Sequence, residues 1–353
     1  MPTRMIIPML VALLIPIPAF AQKVTLEKQF EAGLSAFKEG RLGDAEQLLR
    51  DTLEQAKESP TNDERLAAIM FALGVVYQRQ AKFSSAEPLF EQALTMMEQG
   101  LGIKHPDVAR GLSMLGDLKS ELGKYTEAEA ALSKSASIFE ELFGPDHPDL
   151  AHSLKWLADT YRLQKKYNKA LPLAQRALAI DEKAMGPEHP NVAISLNILA
   201  AIYAAQGLYI KAEPLYKRAL EILEKTFGPN HLGVADNLSS LGVLYRHQGK
   251  YEDAGLVYIR ALAIRDKQLG PEHPLVALTL DNIVVLYMAE GTYALADPLS
   301  ARAVKIYEKI LGPNHPELAT ALENRSLLLR KMKREDEAEQ LEARVKAIRA
   351  KAK

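Results

Sequence analysis

The chain has 353 residues, of which 48% are hydrophobic and 25% are charged, as in an ordinary folded protein. Its 44 basic and 45 acidic residues nearly cancel, so the composition predicts no general attraction to nucleic acid or to anionic lipid. The sequence contains no cysteine, which excludes disulfides, thiolate catalysis, cysteine-based zinc sites and lipid attachment to cysteine.

Residues 1–21 have the organisation of a bacterial export signal. Arg4 supplies a positive start, residues 5–18 are apolar, and Ala19-Phe20-Ala21 provides a small-x-small cleavage site. The alternative, an uncleaved membrane anchor, is disfavoured because the apolar run is short and contains three prolines. We therefore expect cleavage after Ala21, a mature chain of residues 22–353 without a membrane span, and residence in the periplasm or outside the cell. Cleavage removes one cation and no acid, which leaves 43 basic against 45 acidic residues and a net charge of −2.

A phrase of the form Gly-x-x-His recurs every 42 residues through the rest of the chain. Its glycines are Gly102, Gly144, Gly186, Gly228, Gly270 and Gly312. Its histidines are His105, His147, His189, His231, His273 and His315. Proline follows each histidine except His231, where Leu232 stands instead. A period of 20–50 residues indicates a stacked array of structural repeats.

Each period divides into two helices. In one unit the apolar residues of the first helix recur at i, i+3, i+4 and i+7, at Leu196, Leu199, Ala200 and Tyr203. Gly207 then predicts a turn, and a second apolar face ends at Gly228, a helix-stopping glycine. An alanine recurs early in the second helix of all eight units: Ala45, Ala86, Ala128, Ala170, Ala212, Ala254, Ala296 and Ala338. Such strict recurrence predicts close helix packing at these positions.

The order small–Tyr–Gly–Tyr–Ala–aromatic–Ala resembles the tetratricopeptide repeat. In one unit it reads Ala200, Tyr203, Gly207, Tyr209, Ala212, Tyr216 and Ala219. The 42-residue period with its Gly-Pro-x-His-Pro connector is similar to the long variety in kinesin light chains. The resemblance implies an all-α fold, a right-handed α-solenoid of about eight helix-turn-helix repeats that ends in a charged capping helix. The third unit departs from the pattern, with Lys119 where tyrosine is usual.

The histidines and glycines suit structural roles better than chemical ones. Equivalent histidines in successive hairpins are separated by at least a helix diameter, roughly 10 Å, and so cannot share a metal ion. We expect their imidazoles to hydrogen-bond backbone groups where one helix ends and the next begins. His152 and His247 lie outside the series, and no nucleophile or acid near either forms a recognisable catalytic arrangement. The sequence therefore predicts no metal, no cofactor and no catalytic residue.

The resemblance implies that first helices line the concave side of the array. Residues one step beyond the core stripe then form a candidate groove, with i, i+4, i+7 spacing in each helix. They are Lys155, Asp159, Arg162, Asn197, Ala201, Ala204, Ser239, Val243, Arg246, Asp281, Val285 and Met288. The alternative is that these are ordinary exposed side chains. The family's clamp for a C-terminal carboxylate matches only at Lys155, because asparagine is absent from its partner positions, and this favours an extended peptide ligand.

The preferred interpretation is a non-enzymatic scaffold that binds a peptide or protein partner in this groove, in the cell envelope. The alternative is a structural protein that assembles with itself through its end units or convex face. An enzyme with a site spread over the groove is less favoured, and saccharide or peptidoglycan fragments remain open as ligands. The sequence does not identify the partner.

Overall fold

The structure, a computed structural model, describes residues 21–58, 63–80 and 82–351. The signal peptide predicted for residues 1–21 lies outside this range except for Ala21. Within the described residues the chain forms sixteen α-helices and no strand. The helices are α1 (Ala21–Lys38), α2 (Leu42–Glu58), α3 (Asp63–Arg79), α4 (Phe83–Leu101), α5 (Pro106–Glu121), α6 (Tyr125–Phe143), α7 (Pro148–Leu163), α8 (Tyr167–Met185), α9 (Pro190–Ala205), α10 (Tyr209–Phe227), α11 (Leu232–His247), α12 (Tyr251–Leu269), α13 (Pro274–Glu290), α14 (Tyr293–Leu311), α15 (Pro316–Lys331) and α16 (Glu335–Lys351).

Consecutive helices pair into eight hairpins, each with an odd-numbered first helix and an even-numbered second helix. The hairpins belong to two compact bodies, an N-terminal body that ends at Glu188 and a C-terminal body that begins at His189. Within each body, first helices of neighbouring hairpins contact one another. The predicted all-α repeat fold of eight hairpins is confirmed. None of the described helices has both the length and the hydrophobicity that a membrane crossing requires.

The eight recurring alanines are fully buried, as predicted. Each lies early in a second helix, and each second helix packs along the first helix of its own hairpin. A larger side chain at such a position would overpack the hairpin at a cost of roughly 1–3 kcal/mol.

The connector histidines cap first helices. In five hairpins the imidazole Nδ1 accepts a hydrogen bond from the backbone N–H two residues ahead, at 3.1 or 3.2 Å. This bond satisfies one of the N–H groups that have no partner within the helix. The predicted connector role of His105, His147, His189, His231 and His273 is therefore confirmed. The connector glycine has the positive φ that ends the preceding helix, for example 84° at Gly228.

Successive second helices are joined by ion pairs that repeat with the hairpins. One series joins the start of a second helix to its predecessor: Glu46–Lys82, Glu87–Lys124, Glu129–Lys166, Glu213–Lys250 and Asp297–Arg334. A second series lies nearer the helix ends: Glu98–Lys134, Glu140–Arg176, Glu224–Arg260, Asp266–Arg302 and Glu308–Arg344. Three of these arginines also donate to a connector proline carbonyl. The ion pairs therefore link neighbouring hairpins through their second helices.

Candidate functional site

Lys155 of the predicted groove lies in the interior of the N-terminal body. Its side chain is 2% exposed, and its Nζ donates to Oδ2 of the fully buried Asp181 on α8 at 2.9 Å. Burial lowers the pKa of Lys155, and the Asp181 carboxylate opposes that shift. The assignment of Lys155 to an accessible binding surface is therefore corrected, because an unpaired carboxylate in this core would be costly and the lysine turns inward to neutralise it.

Asp159 and Arg162 form a pair on the open side of α7. Arg162 Nε donates to Asp159 Oδ1 at 2.7 Å, and the arginine side chain is 22% exposed while the aspartate side chain is 8% exposed. The assignment of Asp159 to an accessible surface is therefore corrected as well, and of the three residues predicted on α7 only Arg162 is partly exposed.

Polar residues that the sequence reasoning missed lie on neighbouring first helices of the same body. Gln78 Nε2 on α3 donates to Asp117 Oδ2 at 3.1 Å and to Glu121 Oε2 at 2.9 Å, both on α5. Asp117 stands one 42-residue period before Asp159, and Gln78 stands two periods before Arg162. The spacing rule that selected the groove residues, if applied to the two preceding repeats, would have selected Gln78 and Asp117 but not Glu121.

The nine residues predicted in the C-terminal body form three half-exposed stripes. Asn197, Ala201 and Ala204 lie on α9; Ser239, Val243 and Arg246 lie on α11; Asp281, Val285 and Met288 lie on α13. Because α11 contacts both α9 and α13, the stripes lie side by side. We call this surface the first-helix face. Its centre is apolar, one end is polar, and at the other end Arg246 lies between the apolar Ala204 and Met288.

The polar residues at the two ends of the first-helix face are held by neighbouring side chains. Asn237, which is 1% exposed, donates from Nδ2 to Asn197 Oδ1 at 2.6 Å and to the Tyr216 carbonyl at 3.1 Å. Since the Asn197 oxygen is occupied, its amide N–H₂ group is the part that can donate to a bound molecule. At the other end, Arg246 Nη2 lies 3.3 Å from His247 Nε2. The surface thus presents N–H donors at both ends.

Burial and charge set the protonation of groups beneath this surface. Burial raises the pKa of the Tyr258 hydroxyl to about 12, against an opposing effect of Arg246. Burial, aided by the nearby Arg265 guanidinium, lowers the pKa of His273 from 6.5 to about 4. Arg265 itself is buried, donates to Asp236 Oδ1 at 2.6 Å and contacts Thr279 Oγ1 at 2.5 Å. His273 therefore stays neutral near pH 7 and keeps its capping lone pair.

Three carboxylates of the N-terminal body surround Lys119. Its Nζ lies 3.3 Å from Glu87 Oε1 and 2.9 Å from Glu91 Oε1, and it also contacts Glu127. Burial alone would lower the pKa of Lys119, but the three carboxylates outweigh it and raise that pKa. These glutamates are close enough to share a cation, and the lysine ammonium occupies that position. The lysine that stands in place of tyrosine at position 119 thus neutralises part of the negative charge of the three glutamates.

Comparison with known proteins adds sequence evidence to this geometry. A family model described as tetratricopeptide repeat matches residues 25–99, 107–183, 154–203, 191–267, 238–287 and 276–351. A second model with the same description matches residues 71–141. Neither describes an enzyme. No curated protein sequence matches the chain.

Solved structures of repeat proteins are similar to the chain. BtubC (BKLC) from P. vanneervenii is 27% identical, with a TM-score of 0.51, over 67% of this chain and 92% of that one. TPR-like repeats assigned to a kinesin light chain from Podosopora anserina are also 27% identical, with a TM-score of 0.51, over 59% and 98%. A Rap protein complexed with competence and sporulation factor shares the fold at 14% identity, with a TM-score of 0.56, over 93% and 98%. Because the family models span nearly the whole array, the chain belongs to the tetratricopeptide repeat family.

Proposed function

We propose that the chain is a non-enzymatic scaffold that holds an extended peptide segment of a partner protein on its first-helix face. The observation that carries this proposal is the side-by-side arrangement of three half-exposed stripes on α9, α11 and α13. Val243 and Val285 lie at its apolar centre, and Asn197 and Arg246 lie near its ends. An extended segment can place apolar side chains over the centre while its carbonyl groups accept from the end residues.

Rigid support favours binding at this face. Val243 packs against a cluster that includes the buried Leu241, Leu244 and Tyr245, so its position is fixed before a partner arrives. A preformed surface loses little conformational freedom on binding, so less of the favourable interaction free energy is offset by ordering and the affinity is higher. Membership of the tetratricopeptide repeat family supports the same role, since stacked hairpins provide extended binding surfaces.

Site-specific photocrosslinking tests the proposal. A photoreactive residue at Ala204, which is half-exposed on α9, is expected to capture a discrete partner in intact cells. The matched control replaces Ala130, an exposed alanine on the second helix α6. Val243→Arg, which places a charge at the centre of the face, should abolish capture at Ala204 while the chain keeps its helical content. Equal capture at Ala130, or capture unaffected by Val243→Arg, would contradict the assignment.

We also propose that the scaffold works in the cell envelope, in the periplasm or outside the cell. The support is the sequence of residues 1–21, with its positive start, apolar run and small residues before the cleavage position. Mass spectrometry of the protein from fractionated cells should find a chain that begins at Gln22. Ala21→Asp should block cleavage and retain the longer chain. Recovery of the full-length chain in the cytoplasmic fraction of wild-type cells would refute export.

A further inference from the structure

The second helices of the C-terminal body expose large apolar side chains. Ile210 on α10 is 89% exposed, and Leu256 and Ile259 on α12 are 64% and 55% exposed. Three exposed residues hold the equivalent repeat positions on α8: Asn168, Pro172 and Gln175. Leu295 on α14 is also exposed, at 57%, but α8 has no leucine or isoleucine at these three positions, so their exposure on α10 and α12 does not follow from the repeat. We call the surface around Ile210, Leu256 and Ile259 the second-helix face.

α10 and α12 are neighbours that run in the same direction. Glu213 near the start of α10 pairs with Lys250 at the start of α12, at 2.9 Å. Glu224 further along α10 pairs with Arg260 further along α12, at 2.5 Å. Because the pairs occur in the same order along both helices, their starts lie at the same end of the second-helix face.

The α10 side of this face is basic around an apolar projection. Ile210 and Pro214 line an open cleft of ≈ 430 Å³ together with Lys217 and Lys250. Both lysines donate to Glu213, at 2.8 and 2.9 Å, so the three groups carry one net positive charge. Lys211 next to Ile210 is exposed and adds a second. The α10 side therefore presents an apolar side chain flanked by positive charge.

The α12 side has the opposite charge. Ile210 and Gln248 both line the cleft described above, and one repeat later the equivalent residues are Glu252 and Glu290. Both glutamates are exposed, and within the described part of the chain no ion pair joins either to a cation. Glu252 lies one turn before Leu256 on α12, so the apolar surface has an acidic border at the helix start.

The starts of α12 and α14 also lack the ion pair that joins Glu213 of α10 to Lys250 at the start of α12. Gly255 and Thr292 hold the positions of Glu213 and Lys250. A methyl group at Gly255 would meet only Leu286, at 3.8 Å, so the surface beside Leu256 is open. The α12 side can therefore receive an apolar side chain flanked by basic residues.

We propose that a second copy of the chain docks here, with Ile210 of each copy against Leu256 of the other. If the two copies are related by a two-fold axis that runs between α10 and α12, along their common direction, this contact occurs twice in the dimer. It brings Lys211 of one copy to Glu252 of the other at both sites. The occupant is a second copy because the chain itself carries the complementary apolar and charged groups one repeat away.

The size of the second-helix face predicts a weak dimer. Each of the two helices has 19 residues and is about 28 Å long and 10 Å wide. Their combined face of roughly 550 Å² per copy lies below the ≈ 800 Å² of a standard interface. We therefore expect exchange between monomer and dimer at roughly micromolar concentration rather than a permanent dimer.

Sedimentation velocity of the full mature chain tests the dimer. Between about 1 and 200 μM the wild type should pass from monomer to dimer mass. Lys211→Glu and Glu252→Lys should each raise the dimer dissociation constant about tenfold, because like charges then meet twice. The double variant Lys211→Glu/Glu252→Lys restores opposite charges and should return within about threefold of the wild type. All three variants change exposed residues and should keep the circular dichroism spectrum of the wild type.

The matched control is Lys169→Glu on α8. Lys169 lies 5.0 Å from the Tyr161 ring centre, and Lys211 lies 5.5 Å from that of Tyr203, so both substitutions remove a lysine beside a tyrosine ring. Lys169→Glu also removes an ion pair with Glu129 at 3.7 Å. Lys169→Glu should leave dimerisation unchanged. A wild type that stays monomeric, a double variant without rescue, or equal weakening by Lys169→Glu would overturn the proposal. Since Val243→Arg on the first-helix face should leave dimerisation intact, failure here is distinguishable from failure of peptide binding.

Discussion

Replacing Lys155 by methionine is expected to destabilise the N-terminal body by about 3–5 kcal/mol. The substitution keeps an unbranched side chain but removes the ammonium group 2.9 Å from the Asp181 carboxylate. Because the carboxylate is fully buried, water cannot replace the lost charge without opening the packing of α7 against α8. The carboxylate must then be desolvated or take up a proton on folding, and either costs free energy.

The companion variant Asp181→Leu supplies the other half of a double-mutant cycle. Leucine is the natural residue at the equivalent position 223. Lys155→Met/Asp181→Leu should recover to within about 1–2 kcal/mol of the wild type, since a hydrophobic pair of similar volume often replaces a buried ion pair without loss. The free energy of unfolding is measured by urea titration with circular dichroism. Hydrogen exchange of α7 and α8 gives their local stability in case the hairpins unfold separately.

The control is the exposed Lys134–Glu98 pair of the same body, whose atoms are 2.7 Å apart. Lys134→Met should cost no more than about 1 kcal/mol, as surface ion pairs do. If Lys155→Met costs no more than this control, the buried pair does not carry the stability assigned to it. A double variant less stable than both single variants would refute the reasoning in the same way.

Three further predictions concern caps, glycines and charge. Lowering the pH from 6.5 towards 4 should weaken the start of α13 by about 2–3 kcal/mol, because the unfolded chain binds a proton there before folded His273 does. His273→Asn keeps a capping acceptor and should flatten this dependence in hydrogen exchange. Gly242→Ala should cost about 1–3 kcal/mol because the methyl group would overlap the Tyr258 ring. Gly255→Ala, in open space, should gain about 0.5–1 kcal/mol in urea unfolding. Lys119→Tyr should cost about 1–3 kcal/mol in urea unfolding, although tyrosine is usual there, because the three surrounding carboxylates lose the ammonium group that they share.

Each of these three has an outcome that would count against it. The capping argument fails if His273→Asn shows the same acid-dependent exchange as the wild type. Equal effects of the two glycine substitutions would show that space beside the helix does not decide their sign. A Lys119→Tyr variant as stable as the wild type at pH 7 would mean that the carboxylates tolerate one another without the lysine.

The repeat architecture could be predicted from sequence because the same local packing and backbone requirements recur along the array of eight hairpins. The buried alanines, the glycine that ends a second helix at Gly228 and the capping imidazoles all follow from local backbone requirements. Such requirements depend on residues close together in the chain, so periodicity alone exposes them.

The position of Lys155 could not be predicted by the same means. Residues equivalent to Asp181 in other second helices are Met97, Phe139, Leu223, Arg265 and Tyr307. Most of these equivalent positions are apolar, so a carboxylate there needs a cation beside it. Which residue supplies the cation depends on which side chain of the first helix faces the carboxylate, here 26 positions earlier. Helical spacing placed Lys155 on the open face, and the desolvation cost of Asp181 turned it inward. Arg265 shows the converse case, with Asp236 supplying the opposite charge.

The candidate groove was predicted unevenly for a related reason. In the C-terminal body the inward stripe consists largely of small or apolar residues, such as Ala204 and Val285, whose positions follow from backbone geometry. In the N-terminal body the stripe is polar, and partners such as Gln78 and Asp117 decide where each side chain lies. Whether a partner occupies either surface stays a prediction.

The repeating ion pairs between second helices make each body sensitive to ionic strength. First helices of neighbouring hairpins are joined by buried hydrogen bonds such as Ser113–Ser153, whereas second helices are linked by two repeating series of long, half-exposed charges such as Glu140 and Arg176. Salt at about 1 M shortens the screening length to about 3 Å and weakens mainly the repeated ion pairs between second helices. Each stack is therefore stiff along one edge and compliant along the other, so dissolved salt should change the pitch between adjacent hairpins before it changes their internal structure.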